Sequence, residues 1–354
     1  MNAPLDKSMR KPKARALDFK QGRVDMSHGA GGRAMAQLIE ELFVGQFDNA
    51  ILNREHDAAM FELPPGRVVM STDTFVVSPL FFPGGNIGSL AVHGTVNDLA
   101  MGGGVPKYLT AGFILEEGFP LSDLAEIVKS MAKAAREAGV AIVTGDTKVV
   151  ERGKGDGIFI NTAGVGVVPD GIDVCGDRAR PGDIVLVSGT LGDHGVAVMS
   201  KRENLSFSTE ILSDSQSLND LVADMLASVP GMRVLRDPTR GGLAATLNEI
   251  AHQSGVGVEL TESAIPIRGE VKSACELLGL DPLYVANEGK LIAICPPEDA
   301  ERLLAIMQAH PKGREAAIVG RVLDDARCFV RMKTQLGGAR MVDWLAGEQL
   351  PRIC

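Results

Sequence analysis

The sequence predicts a two-domain protein of α+β and α/β architecture, an N-terminal α+β sheet domain followed by a C-terminal α/β domain. Three observations carry that expectation. The chain has 354 residues, more than the roughly 100–200 typical of one domain. Short apolar runs of strand length alternate with longer segments of helical spacing in both halves. The stretch 168–182, VPDGIDVCGDRARPG, gathers Pro, Gly and Asp between those halves and marks a boundary. On this reading residues 1–20 are a flexible basic leader, 21–170 and 180–342 are the domains, and 343–354 are a mobile tail.

Residues 1–20 carry Lys7, Arg10, Lys11, Lys13, Arg15 and Lys20 with little to bury. Ser27-His28-Gly29-Ala30-Gly31-Gly32 then precede a helix whose Met35, Leu38, Ile39, Leu42 and Phe43 share a face. From Arg67 the expected order is strand, turn, Gly/Pro loop, a helix over about 88–101 and a strand at YLTAGFIL. A helix over 122–138 places Leu124, Ile127, Val128, Met131 and Ala135 on one side, with Ser122 and Gly139 as its expected caps. Strands at 140–144 and 157–166 close the first half. The second half reads as strand 183–188, helices near 193–200 and 217–228, strand 232–236, helix 240–253 and strand 256–260. A helix near 270–278, a strand at 290–295, a helix over 298–309 and strands within 315–331 complete it.

Composition narrows the function classes. Lys and Arg number 36 against 45 Asp and Glu, a net charge of −9, and aromatics are only 4 %. Such a chain lacks the basic field and stacking platforms of a nucleic-acid binder. No apolar run approaches the ~20 residues of a membrane helix. The basic start is not followed by an apolar core, so it does not read as a secretory signal. Five cysteines without a CxxC pair fit neither a disulfide framework nor a zinc site. A cytoplasmic enzyme is the expectation.

The aspartates form the most informative pattern. Asp73 follows VVMS, Asp146 follows VAIVTG and Asp237 follows MRVLR, each read as lying just beyond a strand. Asp98 falls instead within the predicted helix 88–101. Carboxylates gathered in one cleft repel one another and any anionic substrate, a conflict that Mg²⁺ resolves by bridging them to phosphate oxygens. Taken singly, each Asp reads first as a turn former or cap; it is the set that points to a site. Glycines crowd near these acids, at 29–32, 83–86, 101–104, 145–147 and 240–242, among the 41 in the chain. They permit backbone N–H groups to approach a phosphate, yet neither GxxxxGK[ST] nor GxGxxG after a strand is present.

Other residues keep two readings each. Lys148 can pair with phosphate or sit at a loop edge. Glu288, ahead of a buried strand, suits a general base or a solvated turn. His28 and His194 stand beside glycines without metal-ligand spacing. Cys175, Cys275, Cys295 and Cys328 read as small core residues. Cys354 is either an idle residue on a frayed end or a thiol on a movable arm, since ten residues from Trp344 extend about 35 Å.

The segments SHGAGGRAM (27–35), STDTFVVSPLFFPGGNIGSLAVHGTVNDLAMGG (71–103), GFILEEG (112–118), VTGDTKVVERG (143–153), LVSGTLGDHG (186–195), DPTRGGLA (237–244), ANEGKL (286–291) and PRIC (351–354) are together similar to one family. The chain resembles the HypE hydrogenase maturation factors, of the superfamily of aminoimidazole ribonucleotide synthetase, selenophosphate synthetase and thiamine-monophosphate kinase. The acid–glycine motifs point to the superfamily; TGDTKVV and PRIC point to HypE. The resemblance spans about residues 24–354, leaving the basic leader outside it, and Pro238 is a small variation within DPTRGG.

The resemblance implies a homodimer formed through the N-terminal sheet, with ATP between the domains. It implies Asp73, Asp98, Asp146 and Asp237 as Mg²⁺ and phosphate ligands. It further implies a lid over the phosphates at His28, Gly29, Gly31 and Gly32, with Asn97, Asp98, Gly145, Asp146 and Arg240 at the nucleotide. Cys354 would carry a carbamoyl group from the carbamoyltransferase HypF, with Glu288 and Lys148 near it. ATP would activate the amide oxygen, loss of water would leave a thiocyanate, and cyanide would pass to the HypC–HypD complex for nickel–iron hydrogenases. Two rivals stay open: a superfamily kinase acting on a free small molecule or selenide, and a nucleotide-binding scaffold whose tail docks a partner. The lid here, SHGAGG, has no Cys, unlike selenophosphate synthetases.

Overall fold

The computed structural model describes residues 16–205, 210–345, 347 and 350–354. Its N-terminal part begins with α1 (Arg33–Leu38), which continues through a π-helical stretch, Ile39–Val44, into α2 (Gly45–Phe47). Strand β1 (Arg67–Phe75) and a small hairpin of β2 (Phe81–Phe82) and β3 (Gly85–Asn86) lead to α3 (Ile87–Met101). Then come β4 (Val105–Glu116), α4 (Leu121–Ala138), β5 (Ala141–Val150) and β6 (Ile158–Val168). The four long strands form one sheet in the order β1-β6-β4-β5, with only β4 and β5 parallel.

One face of that sheet is covered and the other is open. Helix α4 buries Leu124, Ile127, Val128, Met131 and Ala135, the stripe its sequence spacing predicts. Helix α3 is buried nearly all round because it lies between the sheet, α4 and the second domain. Asn86 caps it, its side chain accepting from the N–H groups of Gly88 and Ser89. The α4 cap differs from expectation: Pro120 is the N-cap and the Ser122 hydroxyl turns to Asp123. On the open face Met70 is 74 % exposed and Val68 61 %.

The second domain comprises β7 (Ile184–Val187), α5 (Asp193–Arg202), α6 (Asn219–Ser228), β8 (Val234–Arg236), α7 (Gly242–Ser254) and β9 (Gly257–Thr261). It continues with α8 (Gly269–Leu278), β10 (Ile292–Cys295), α9 (Ala300–Ala309), β11 (Ala317–Leu323), β12 (Val330–Lys333) and β13 (Ala339–Met341). The sheet order is β13-β12-β9-β11-β7-β10-β8, antiparallel except for β12 with β9. Leu243, Leu247 and Ile250 of α7 pack on one face, and Leu221, Met225, Leu303 and Met307 of α6 and α9 on the other. Ala100 and Met101 from α3 join the second of these clusters, so the domains share apolar packing beside the cleft.

Several sequence readings change. Asp73 and Asp146 lie inside β1 and β5 rather than beyond their ends, because pairing with β6 and with β4 carries both strands past the polar residues. Cys275 and Cys295 are core residues, but Cys175 is exposed in the loop joining the domains and Cys328 is only partly covered. Of the leader, residues 1–15 lie outside the described residues. Leu17 and Phe19, which the basic composition masked, pack against the N-terminal core.

Candidate functional site between the domains

Three of the four sequence-predicted aspartates meet in the cleft. Asp73 points to the helix side of the sheet, where a Cβ on Gly94 would lie 3.5 Å from its Oδ2. Gly94 and Asp98 are one turn apart on α3, so Asp98 faces the same spot. Ser71 Oγ donates to Asp98 Oδ2 at 2.5 Å. Burial, then the charge and hydrogen bond of Asp98, raise the Asp73 pKa, while Arg240 opposes the rise. Asp237, just after β8, is raised to about 7 by burial, then by Asp98, though its residue keeps an edge open to the cleft. Asp98, Asp237, Thr239 and Arg240 line a cavity of about 620 Å³.

Glu288 and Cys354 close one side of this cluster. Glu288 is 3 % exposed. Its backbone N–H donates to Asp214 Oδ1 at 3.0 Å, and its Oε1 has no hydrogen-bond partner among the described residues. Burial first, then Asp237, Asp214 and Asp73, push its pKa well above the carboxylate range. The Cys354 thiol shares a hydrogen bond with it, and burial followed by the Glu288 charge pushes that thiol far up.

The tail expected to be mobile is docked. Val76 N–H donates to Cys354 O at 3.3 Å and Ser78 N–H to Arg352 O at 3.1 Å, continuing the chain beyond β1. Ile353 enters the N-terminal core, and Arg352 pairs with Asp156. His194, which stands beside glycines in the sequence, is fully buried and bonded to Ser213 Oγ at 2.8 Å and Ile353 O at 2.9 Å.

The remaining expected site residues are placed elsewhere. Asp146 and Lys148 pair with each other on the exposed face of β5, Nζ to Oδ1 and Oδ2 at 2.7 and 2.6 Å. Three strand spacings, about 14 Å, separate β5 from β1. Asp146 therefore does not join the other acids within one chain, because Asp73 faces the helices and Asp146 faces away from them. The 28–32 segment stays on the same far edge: a Cβ at Gly29 would meet Val149 N at 2.7 Å. Gly31, at φ +73°, and Gly32 have open space beside them. His28 is buried, its Nδ1 accepting from Asp25 N–H at 3.0 Å. Gly145 serves strand pairing, since a Cβ there would lie 2.3 Å from Ala111 O. Asn97 is engaged structurally: its Nδ2 donates to Gln216 O and Glu288 O, and its Oδ1 accepts from Leu218 N–H.

Asp214, Arg202 and Ser71 escaped the sequence reading. Asp214 lies in a Ser-rich stretch without a signature, and Arg202 reads as an ordinary basic helix end. Ser71, two residues before Asp73 and so on its face of the strand, carried a usable signal.

Asp73, Asp98 and Asp237 offer only carboxylate oxygens, the chemistry a hard cation selects. Among the described residues no group of three acids, histidines or cysteines forms a ready-made metal cage.

The two domains match described families of the AIR synthase related proteins, the N-terminal domain over residues 55–168 and the C-terminal domain over 180–333. Carbamoyl dehydratase HypE of Azotobacter vinelandii is 69 % identical over 338 residues, covering 96 % of this chain and 99 % of that protein. A crystal structure of the maturation protein HypE in complex with ATP has a TM-score of 0.90 and 53 % identity, covering 93 % of this chain and 99 % of that one. A chain of a HypE–HypF complex has a TM-score of 0.77 and 52 % identity, covering 87 % and 99 %. The chain therefore belongs to the HypE family of the AIR synthase related proteins.

Proposed function

We propose that this protein is an ATP-dependent carbamoyl dehydratase of hydrogenase maturation that acts on its own Cys354. The observation that carries the reading is the Cys354 thiol resting against Glu288 beside Asp73 and Asp237. In the first step the amide oxygen of Cys354–S–CO–NH₂ attacks the γ-phosphorus of ATP; ADP leaves, one of the two N–H protons is released, and the oxygen becomes the phosphate ester of Cys354–S–C(=NH)–O. In the second, the remaining N–H proton is taken as the C–O bond breaks. The products are Cys354–S–C≡N and phosphate.

Glu288 is the proposed base. Part of its raised pKa comes from the Asp237 and Asp73 charges, so neutralising those acids lets it ionise. Asp73, Asp98 and Asp237 would hold Mg²⁺, which supplies charge neutralisation at the phosphates. Arg240, exposed at the cavity, is placed to meet a phosphate. The ATP complex and the HypF complex of relatives support nucleotide use and a HypF-type carbamoyl donor. Transfer of cyanide to HypC–HypD and action in the cytoplasm follow from the same reading; no helix among the described residues is long and apolar enough to cross a membrane.

The open sheet face supports a homodimer. Thr74, Gly112, Ile114, Asp146, Lys148 and Asn161 line one trough on it, flanked by the exposed apolar residues of β1. Pairing two such faces would carry Asp146, Lys148 and the glycine segment of one copy toward the cleft of the other, completing a site that a single chain leaves divided. Mass spectrometry of the closing peptide tests the whole reading. With ATP, Mg²⁺, carbamoyl phosphate and the transferase, Cys354 gains a carbamoyl group and then loses water. A Cys354 that stays unmodified, or normal hydrogenase maturation by Cys354→Ala, overturns it.

A further inference from the structure

We infer that Arg202 and His194, both on α5, are positioning residues that hold Cys354 in the cleft by gripping the main chain of the tail, and that they set how readily the thiol leaves it. The inference deepens the function proposed above, but the docking itself does not depend on what the sulfur carries.

The guanidinium of Arg202 joins three segments. Its Nη1 donates to Pro351 O at 2.8 Å and its Nη2 to Arg352 O at 2.8 Å. Its Nε and Nη2 both reach Ser78 O, at 2.9 and 2.5 Å. Among the described residues no carboxylate lies within ion-pair distance of it. The half-buried guanidinium spends its strong hydrogen bonds on carbonyls, with the Met199 sulfur as a weak fourth acceptor at 3.5 Å; burial and then the Arg352 charge lower its pKa, while Glu203 opposes the fall. Two of its four acceptors belong to the tail, so undocking would remove one carbonyl partner from each of Nη1 and Nη2.

His194 takes the next carbonyl, that of Ile353. Burial lowers the imidazole pKa, which favours the neutral ring. With the Ser213 hydroxyl on Nδ1, the proton sits on Nε2 and is donated to Ile353 O. Adding the bonds from Ser78 and Val76, every carbonyl from 351 to 354 has a donor. A hold made on the main chain does not read the sulfur, so thiol, carbamoyl and thiocyanate forms dock alike. Binding remote from the reacting atom is thereby used to orient it.

The five cysteines supply the test. Full-length protein and its Arg202→Ala, Arg202→Lys and His194→Gln variants are treated with iodoacetamide, and alkylation of each cysteine is followed by mass spectrometry. Cys175 is exposed and controls for the reagent; Cys275 and Cys295 are buried and report unfolding. In Arg202→Ala, alkylation of Cys354 is expected to rise about ten-fold or more, from loss of charge-assisted hydrogen bonds. Cys175 keeps its rate, Cys275 and Cys295 stay protected, and Arg202→Lys falls between. If Arg202→Ala unmasks the buried cysteines, Arg202→Lys and His194→Gln decide instead. An unaccelerated Cys354 in variants whose buried cysteines stay protected overturns the inference. Intact docking without any dehydration would count against the proposed activity and leave this inference standing.

Discussion

The Cys354 thiol and the Glu288 carboxyl share a hydrogen bond that works in opposite directions on the two: it holds the thiol proton more tightly, while at Glu288 it lowers the pKa against the larger upward push of burial and the neighbouring acids. Replacing Glu288 by Gln keeps the shape and one hydrogen bond but removes the base. Dehydration in Glu288→Gln is expected to fall by about 10²–10⁴-fold, the usual share of a general base, while carbamoyl loading continues. Accumulation of S-carbamoyl peptide is the readout. The same variant tests the cost of the buried acid. A carboxyl whose folded pKa is raised destabilises the protein as pH climbs from its unfolded value of 4.5 toward the folded one. Thermal unfolding followed as pH rises from about 5, just above the ordinary carboxyl value, should therefore show wild type losing more stability than Glu288→Gln. Parallel curves would contradict the assignment.

The raised pKa of the docked Cys354 thiol has its own consequence. Fewer thiolates form at a given pH, and the thiolate is the nucleophile. Alkylation of Cys354 in the intact protein should run slower than in the isolated closing peptide, and it should still be climbing with pH after the peptide has levelled off. Equal rates at pH about 8, just below an ordinary thiol pKa, would mean that the tail spends its time outside the cleft.

Asp98 touches the other acids from a helix, so its charge can be removed without breaking a strand. Asp98→Asn is expected to lower ATP turnover and raise the Mg²⁺ concentration needed for it, by about ten-fold or more for loss of one carboxylate ligand. It should also lower the Asp73 pKa, because the repulsion and the hydrogen bond that raise it depend on Asp98. Unchanged turnover would remove Asp98 from the site. Circular dichroism should stay native, since the hydrogen bonds at the Asp98 carboxylate are to the side chains of Ser71 and Asp73 and none holds the backbone of the helix.

Much of this site was legible in the sequence for a local reason. Asp237 follows an apolar run that folds as the expected strand, Asp98 lies in the expected helix, and Glu288 immediately precedes a buried segment, so naming these elements nearly named the positions; Asp73 belongs to the expected strand but falls inside it rather than beyond its end. Asp146 and Lys148 were harder. Gly145 reads as a strand terminator, and only the parallel pairing with β4, where Ala111 O leaves no room for a side chain, extends β5 through it. Which face they occupy then depends on register, which local sequence does not specify. Asn97 sits next to Asp98, yet successive helix positions differ by about 100°, enough to turn it to the second domain. Asp214, His194 and Arg202 work through backbone groups of distant segments, and main-chain acceptors have no sequence signature. The docking of the tail is likewise a tertiary fact, carried by Ile353 and four carbonyls.

The division of expected site residues between the two faces of the N-terminal sheet yields the last prediction. Asp73, Asp98, Asp237, Glu288 and Cys354 gather on the cleft side, while Asp146 and Lys148 lie on the open face of β5. If the active unit pairs two open faces, Lys148 of one copy serves the cleft of the other. Lys148→Ala and Glu288→Gln homodimers should then both be inactive. Mixed dimers, co-expressed with two different tags and purified through both, would contain one cleft with its own Glu288 and a partner Lys148, both intact. Dehydration in the mixed dimer should recover to about half the wild-type rate per dimer, from one restored site of two. A mixed dimer as inactive as its parents would place Lys148 and Glu288 in the service of the same chain. A protein that stays monomeric at working concentration yet fully active would dispense with the second copy altogether.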